Sequence, residues 1–131
     1  MKRVTGIGGI FFKGRDPETL REWYRRHLGL DIQDWGGLAF NWRESDDGRS
    51  EGVTVWNIFP ASTEYFNPSP APFMINYRVD DLLGLLDVLR SEGCTVDDKT
   101  EISEFGKFGW VMDPEGNRIE LWEPPPGRLP G

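Results

Sequence analysis

Two segments of the chain show the same pattern of apolar residues at helical spacing. The first runs from Asp16, a typical N-cap residue, to Gly29, and the second from Asp80 to Gly93. Each segment carries an apolar stripe three and four residues apart, made of Leu20, Trp23, Tyr24 and Leu28 in the first and Leu82, Leu85, Leu86 and Leu89 in the second. The pattern predicts helices near 17–28 and 81–92, separated by 64 residues, and therefore two related modules.

Runs typical of β-strands precede and follow each predicted helix. The expected strands are 6–13, 31–35, 38–42 and 53–59 in the first module, and 73–79, 95–99, 109–112 and 117–122 in the second. This order predicts an α+β protein made of two tandem βαβββ modules, at about 1–60 and 73–124, within a single domain of residues 1–124. The segment Phe59–Pro72 joins the modules and contains four prolines, and residues 125–131 form an extended tail rich in proline and glycine.

Composition narrows the classes of partner and the compartment. The net charge of −7 argues against a nucleic-acid interface, which would need a basic face. No apolar stretch approaches the roughly 20 residues of a membrane span. Cys94 is the single cysteine, so the chain forms no intrachain disulfide; we expect this thiol to be buried and the protein to be cytoplasmic.

The duplicated plan and two sequence motifs carry a family resemblance. The segments "DPETLREWYRRHLGL" and above all "DPEGNRIELWEP" resemble the vicinal oxygen chelate superfamily, which contains glyoxalase I, extradiol dioxygenases and bleomycin-resistance proteins. The resemblance covers residues 4–124. It implies that each module curls into a half-barrel and that the two half-barrels form a cup, which holds the active site or the ligand.

The resemblance also identifies positions where metal-dependent members carry their ligands. The fourth position matches Glu120, the first matches Gly9 and the third matches Met74. The second lies among Thr54, Val55 and Trp56. Because only Glu120 is a usual metal ligand, we expect no bound transition metal and no other cofactor. His27, the single histidine, is expected on the surface of the first helix or packed between helix and sheet.

Glu120 has two interpretations in such a cup. It is either a structural carboxylate paired with Arg78 or Asn76, or a ligand anchor or general base with a pKa tuned by burial. It is the one candidate for a catalytic residue. Aromatic side chains on strands are expected to line the cup beside it, with Phe40 or Trp42 as a further member. The predicted ligand-binding residues are Glu120, Asn76, Arg78, Phe11, Trp56, Trp122 and Met74.

The predicted function is that of a small-molecule-binding protein similar to bleomycin-resistance proteins. It would sequester a small aromatic or polar compound without a divalent metal. The alternative is a metal-dependent lyase, isomerase or dioxygenase of the same superfamily that uses Glu120. A metal-independent enzyme with Glu120 as base stays open as well. We also expect a homodimer, because half-barrels leave sheet edges and aromatic surface to cover.

Overall fold

The structure, a computed structural model, describes residues 3–42 and 52–126. The first module contains β1 (Val4–Gly14), α1 (Pro17–Leu28), β2 (Gly37–Asn41) and β3 (Val53–Pro60). The second contains β4 (Phe73–Val79), α2 (Leu82–Ser91), β5 (Thr95–Val96), β6 (Glu101–Ser103), β7 (Gly106–Met112) and β8 (Arg118–Glu123). The predicted tail beyond residue 126 lies outside the described residues.

One mixed sheet of eight strands joins the two modules. The strands are ordered β2-β3-β1-β4-β8-β7-β5, and β6 also pairs with β7. The first strand of each module lies parallel to the last, as β1 with β3 and β4 with β8. β1 and β4 pair antiparallel, with Ile10 opposite Ile75 near the centre, so an approximate twofold relates the modules. This arrangement confirms the predicted α+β class and two-module plan, and it joins both halves of the cup within one chain.

The two helices differ in how they cover the outer face of the sheet. α2 buries Leu82, Leu85 and Leu86 in a core with residues of β4, β7 and β8. No residue of α1 is fully buried; its Tyr24 packs edge-to-face against Trp56 at 5.0 Å between ring centroids. None of the helices in the described ranges is long and apolar enough to cross a membrane.

The helix caps follow the predicted chemistry with one shift. The Asp16 carboxylate accepts from the Thr19 backbone N–H, and α1 ends at Gly29 with a φ of 68°. In the second module Asp81, not Asp80, accepts from the Gly84 N–H, so α2 begins at Leu82. The N-caps are therefore 65 positions apart rather than 64.

Three further details differ from the sequence-based expectations. Residues 31–35 form no strand, because Gly36, at a φ of 100°, turns the chain directly into β2 and donates to the Gln33 carbonyl. β6 was not predicted; with β5 it forms an interrupted edge strand along β7, and its three residues are exposed. Cys94 is exposed, so the expectation of a buried thiol is wrong.

Candidate functional site

The concave face of the sheet encloses a cavity of about 730 Å³. Both modules and the connecting segment contribute side chains to it. Because side chains alternate along a strand, β8 presents Glu120 and Trp122 to this face, whereas Leu121 packs into the core below α2. Most of the wall is aromatic, with Phe11, Phe59, Tyr65, Phe108 and Trp122 among the lining residues.

Glu120 lies at the base of the cavity and is 2% exposed. Its Oε1 accepts a hydrogen bond of 2.6 Å from the Tyr65 hydroxyl, and its Oε2 accepts one of 3.1 Å from Asn76 Nδ2. Asn76 lies directly opposite Glu120 in the parallel β4–β8 ladder. The carboxylate is therefore held by two neutral donors from different parts of the chain.

Burial and hydrogen bonding act in opposite directions on the pKa of Glu120. Burial raises it, because the charged form loses its hydration, while the hydrogen bonds from Tyr65 and Asn76 and the nearby charge of Arg118 oppose that rise. The pKa of Tyr65 is also raised, first by burial and then by the charge of Glu120. Tyr65 therefore keeps its proton and serves as a donor to Glu120.

Among the lining residues that sequence reasoning missed, Tyr65 is the one that contacts Glu120 from the connecting segment. It lies in the Pro-rich segment predicted only as a connection between the modules. The adjacent Phe66 is fully buried, and Arg118 on β8 donates to the carbonyls of Tyr65 and Asn67 at 2.7 and 2.8 Å. Two consecutive aromatic residues in a linker were the available signal that this segment packs onto the cup.

Gly8 leaves space that the amide of Asn76 occupies. β1 has an irregular register between Ile7 and Gly9, and Gly8 lies at this irregularity and lines the cavity. A Cβ on Gly8 would meet Asn76 Oδ1 and would lie 2.9 Å from Trp122 Cε3. The absence of a side chain at Gly8 therefore allows Asn76 to reach Glu120.

Trp56, predicted to bind the ligand, is not among the residues that line the cavity. Its ring packs with Phe12 at 5.4 Å and with Tyr24 on the helix-covered side of the sheet. The cavity-facing residues of β3 are Val55, Asn57 and Phe59. Asn57, outside the predicted set of Thr54, Val55 and Trp56, also stands opposite Phe11 in the β1–β3 ladder.

Two other predicted residues lie near the cavity without lining it. Met74 is fully buried in a cluster with Phe11, Phe66 and Trp110, behind the cavity wall. The Arg78 guanidinium lies over the Trp42 ring, 5.4 Å from its centroid. Of the two partners predicted for Glu120, Asn76 makes the contact, and Tyr65 donates to the other carboxylate oxygen. Phe40 and Trp42 are both exposed, and Ala39 lines the cavity from β2.

The donor set around Glu120 does not suit a divalent transition metal. Within residues 3–42 and 52–126, no three His, Cys, Asp or Glu side chains are grouped closely enough to hold an ion. The groups beside Glu120 are a phenol and an amide, and His27 lies exposed on α1, where its ring is 5.2 Å from that of Trp23. Among the described residues that line the cavity, Glu120 is the single anionic side chain.

Solved structures of similar fold cover nearly the whole chain at low identity. A methylmalonyl-CoA epimerase from Mycobacterium tuberculosis is 21% identical, with a TM-score of 0.61 over 94% of this chain and 90% of that one. A methylmalonyl-CoA epimerase in complex with methylmalonyl-CoA and NH4+ is 16% identical, with a TM-score of 0.66 over 97% and 99%. At these identities the likeness shows the fold alone. No curated protein matches at a significant level.

A match to a family model shows the superfamily of the chain, which the fold alone does not. The model of the Glyoxalase/Bleomycin resistance protein/Dioxygenase superfamily matches residues 6–121, from β1 to the Leu121 that follows the buried carboxylate. The match includes both modules and the segment that carries Tyr65. The chain belongs to the Glyoxalase/Bleomycin resistance protein/Dioxygenase superfamily.

Proposed function

We propose that this protein binds a small, largely aromatic molecule in the cavity and sequesters it without a divalent metal. The observation that carries the proposal is a cavity of about 730 Å³ whose walls are aromatic and whose base holds one buried carboxylate. Ligand sites typically measure roughly 300–1,000 Å³ and combine apolar walls with a few polar groups that orient the ligand. The cavity meets both criteria.

Stacked aromatic pairs give two sides of the cavity flat apolar surfaces. Phe59 and Tyr65 stack with ring centroids 5.6 Å apart and 12° between their planes. Phe108 and Trp122 stack at 6.3 Å and 11°. Hydrogen bonds from Tyr65 to Glu120 and from Trp122 Nε1 to the Phe105 carbonyl orient one ring of each pair. The walls are thus pre-organised for a planar ligand, which lowers the entropic cost of binding.

Binding can be tested by blocking the cavity. We would titrate the protein with 1-naphthalenemethanol, a neutral bicyclic aromatic, and follow tryptophan fluorescence. Ala39→Trp would fill part of the cavity and should weaken binding by at least about tenfold, a loss of roughly 1.4 kcal/mol. Ala61→Trp, at an exposed position after β3, is the matched control and should bind as the unmodified protein does. Absence of saturable binding at millimolar probe, or equal loss in both variants, would count against the proposal.

The metal-dependent alternative is separable by elemental analysis. We expect protein purified without chelator to contain substoichiometric zinc, nickel, iron and manganese, because Glu120 is the single anionic side chain at the base of the described cavity. Stoichiometric metal that is lost on Glu120→Ala would favour a metal-dependent lyase, isomerase or dioxygenase instead.

Metal-independent proton transfer is a second candidate. A buried carboxylate with a raised pKa is suited to act as a general base. Two similar structures are named methylmalonyl-CoA epimerases, and an epimerisation exchanges a proton on carbon. Incubation of methylmalonyl-CoA in D2O tests this function: deuterium at the α-carbon with the unmodified protein but not with Glu120→Gln would support it. No exchange with either protein would leave ligand sequestration as the better proposal.

The cellular setting is part of the same proposal. We propose a cytoplasmic homodimer, on the grounds of a single unpaired cysteine and of open sheet edges at β2 and β5. The acidic net charge supports a small-molecule partner over a nucleic acid.

A further inference from the structure

The polar side chains that line the cavity are those of Asn57, Tyr65, Asn76 and Glu120. Glu120 presents its carboxylate, and the hydroxyl proton of Tyr65 is already donated to Glu120 Oε1. Asn57 Oδ1 and Asn76 Oδ1 are buried and have no hydrogen-bond partner among the described residues. Buried acceptors without partners are costly, so a ligand that donates to them gains from each contact.

Basic side chains are held away from the cavity. The lining residues in the described part of the chain include no Lys, Arg or His. Arg118, the cation that lowers the pKa of Glu120, donates to the carbonyls of Tyr65 and Asn67, lies over the Trp110 ring and approaches Asp97 at 3.7 Å. Among the described residues, Glu120 therefore has two neutral hydrogen-bonding partners and no direct ion pair. A buried charge in that state is stabilised by any cation brought next to it.

The aromatic walls also favour a cationic ligand. Ring faces of Trp, Tyr and Phe carry negative potential and attract cations within about 6 Å. The rings of the Phe59–Tyr65 and Phe108–Trp122 pairs line the cavity that contains Glu120. The net charge of −7 would also raise the local concentration of cations around the protein.

We infer that the ligand is an organic cation: a protonated amine on an aromatic framework, whose N–H groups bind Glu120 and the side-chain oxygens of Asn57 and Asn76. This inference rests on the proposed function and specifies the class of ligand for that cavity. The aromatic framework fills the space between the stacked pairs, and the ammonium replaces the missing ionic partner of Glu120. A carboxylate or phosphate ligand would meet acceptors and a like charge at the same place.

Three probes with one ring system and different charges test the inference. They are 1-naphthylmethylamine, 1-naphthalenemethanol and 1-naphthoate, titrated by calorimetry at pH 7. We expect the amine to bind about 10- to 100-fold more tightly than the alcohol, the range for a hydrogen bond to a charged group. We expect the naphthoate to bind most weakly.

Variants locate the charge preference. Glu120→Gln should bring the amine and the alcohol to within about threefold of each other. Glu115→Gln removes the same charge from the exposed β7–β8 turn and should leave the preference unchanged. Asn57→Leu removes one acceptor that lacks a partner, so it should fold well while lowering the amine-to-alcohol ratio. It keeps the inference testable if Glu120→Gln fails to fold.

The outcomes separate this inference from the proposed function. Equal affinities for the three probes, or tightest binding of the naphthoate, would overturn the cationic ligand while leaving a binding cavity. No binding of any probe at millimolar concentration would overturn both. An amine preference that survives in Glu120→Gln and in Asn57→Leu would place the cation elsewhere and would also reject the inference.

Discussion

Asn57 and Glu120 occupy equivalent positions in the two modules. Asn57 on β3 stands opposite Phe11 of β1, and Glu120 on β8 stands opposite Asn76 of β4. The antiparallel β1–β4 pairing relates these two ladders by the approximate twofold. One module therefore places an amide, and the other a carboxylate, at the same structural position of the shared cavity.

The pH dependence of stability should report the burial of Glu120. Its pKa in the folded state is raised above the ordinary value of 4.5, so the folded protein binds the proton more tightly than the unfolded chain. The stability that this group contributes is complete below pH 4.5 and is lost as the pH rises through the folded-state pKa. Glu120→Gln should therefore gain stability relative to the unmodified protein as the pH rises, by about 1.4 kcal/mol for each unit of pKa increase.

Urea unfolding of both proteins at pH 4, 5, 6 and 7 measures that difference. Glu115→Gln, in an exposed turn, is the control, and its difference from the unmodified protein should vary less over the same interval. If the stability of Glu120→Gln minus that of the unmodified protein stays constant or falls with rising pH, the assignment of a raised pKa is contradicted.

Tyr65→Phe should destabilise the protein by about 1–3 kcal/mol at pH 7. The variant removes the 2.6 Å hydrogen bond to Glu120 and leaves the buried carboxylate with Asn76 alone. The pKa of Glu120 should rise further, because that hydrogen bond lowers it. Tyr24→Phe, on the helix side of the sheet, is the matched control in urea unfolding. Equal effects of the two changes would show that the Tyr65 hydroxyl adds nothing.

Gly8→Ala should displace the Asn76 amide and cost about 1–3 kcal/mol, as is usual for overpacking. The new Cβ would meet Asn76 Oδ1, so removing that amide should relieve part of the strain. We therefore expect Gly8→Ala combined with Asn76→Ala to be more stable than the sum of the two single losses. A double-mutant cycle by urea unfolding measures this coupling. Strictly additive losses would mean that the clash is absorbed elsewhere.

Arg78→Ala and Glu120→Gln should be additive to within about 0.5 kcal/mol. The Arg78 guanidinium lies over Trp42, and the charged groups that act on the pKa of Glu120 are Arg118 and Glu101. The parallel cycle of Tyr65→Phe with Glu120→Gln should show coupling of about 1–3 kcal/mol. Strong coupling between Arg78→Ala and Glu120→Gln would instead support an ion pair between Arg78 and Glu120.

A homodimer predicts a particle of twice the 15.0 kDa chain mass in light scattering. The outer face near the β1–β4 junction exposes Ile10 and Phe73, by 43% and 41%, and no strand among the described residues pairs with the outer edge of β2. These surfaces are typical of an interface between subunits. A 15 kDa particle at high micromolar concentration would contradict the prediction.

The helices and Glu120 could be predicted because local rules determine them. Capping aspartates and apolar stripes mark α1 and α2, and the "DPEGN" turn fixes the register of β8. The sequence left the register of β3 open among Thr54, Val55 and Trp56 because "VTVWNIF" is apolar on both faces. One face of β3 lies under α1 and the other lines the cavity. Apolar and polar residues therefore do not alternate along this strand, and the sequence does not show which residues face the cavity. Tyr65 was missed because its partner is 55 positions away and no local pattern links them.

The central position of β1 in the sheet leaves one of its edges unpaired while the chain is being synthesised. β1 is made before the other described strands, yet it pairs on one side with β3 and on the other with β4. A nascent chain that ends before residue 73 can form the β1–β3 pair but leaves the second edge of β1 open, with Ile7 and Ile10 beside it. Open apolar edges are sites of aggregation. The nascent chain is therefore prone to aggregation until β4 is synthesised and pairs with β1. Slow translation through the connecting segment would prolong that interval.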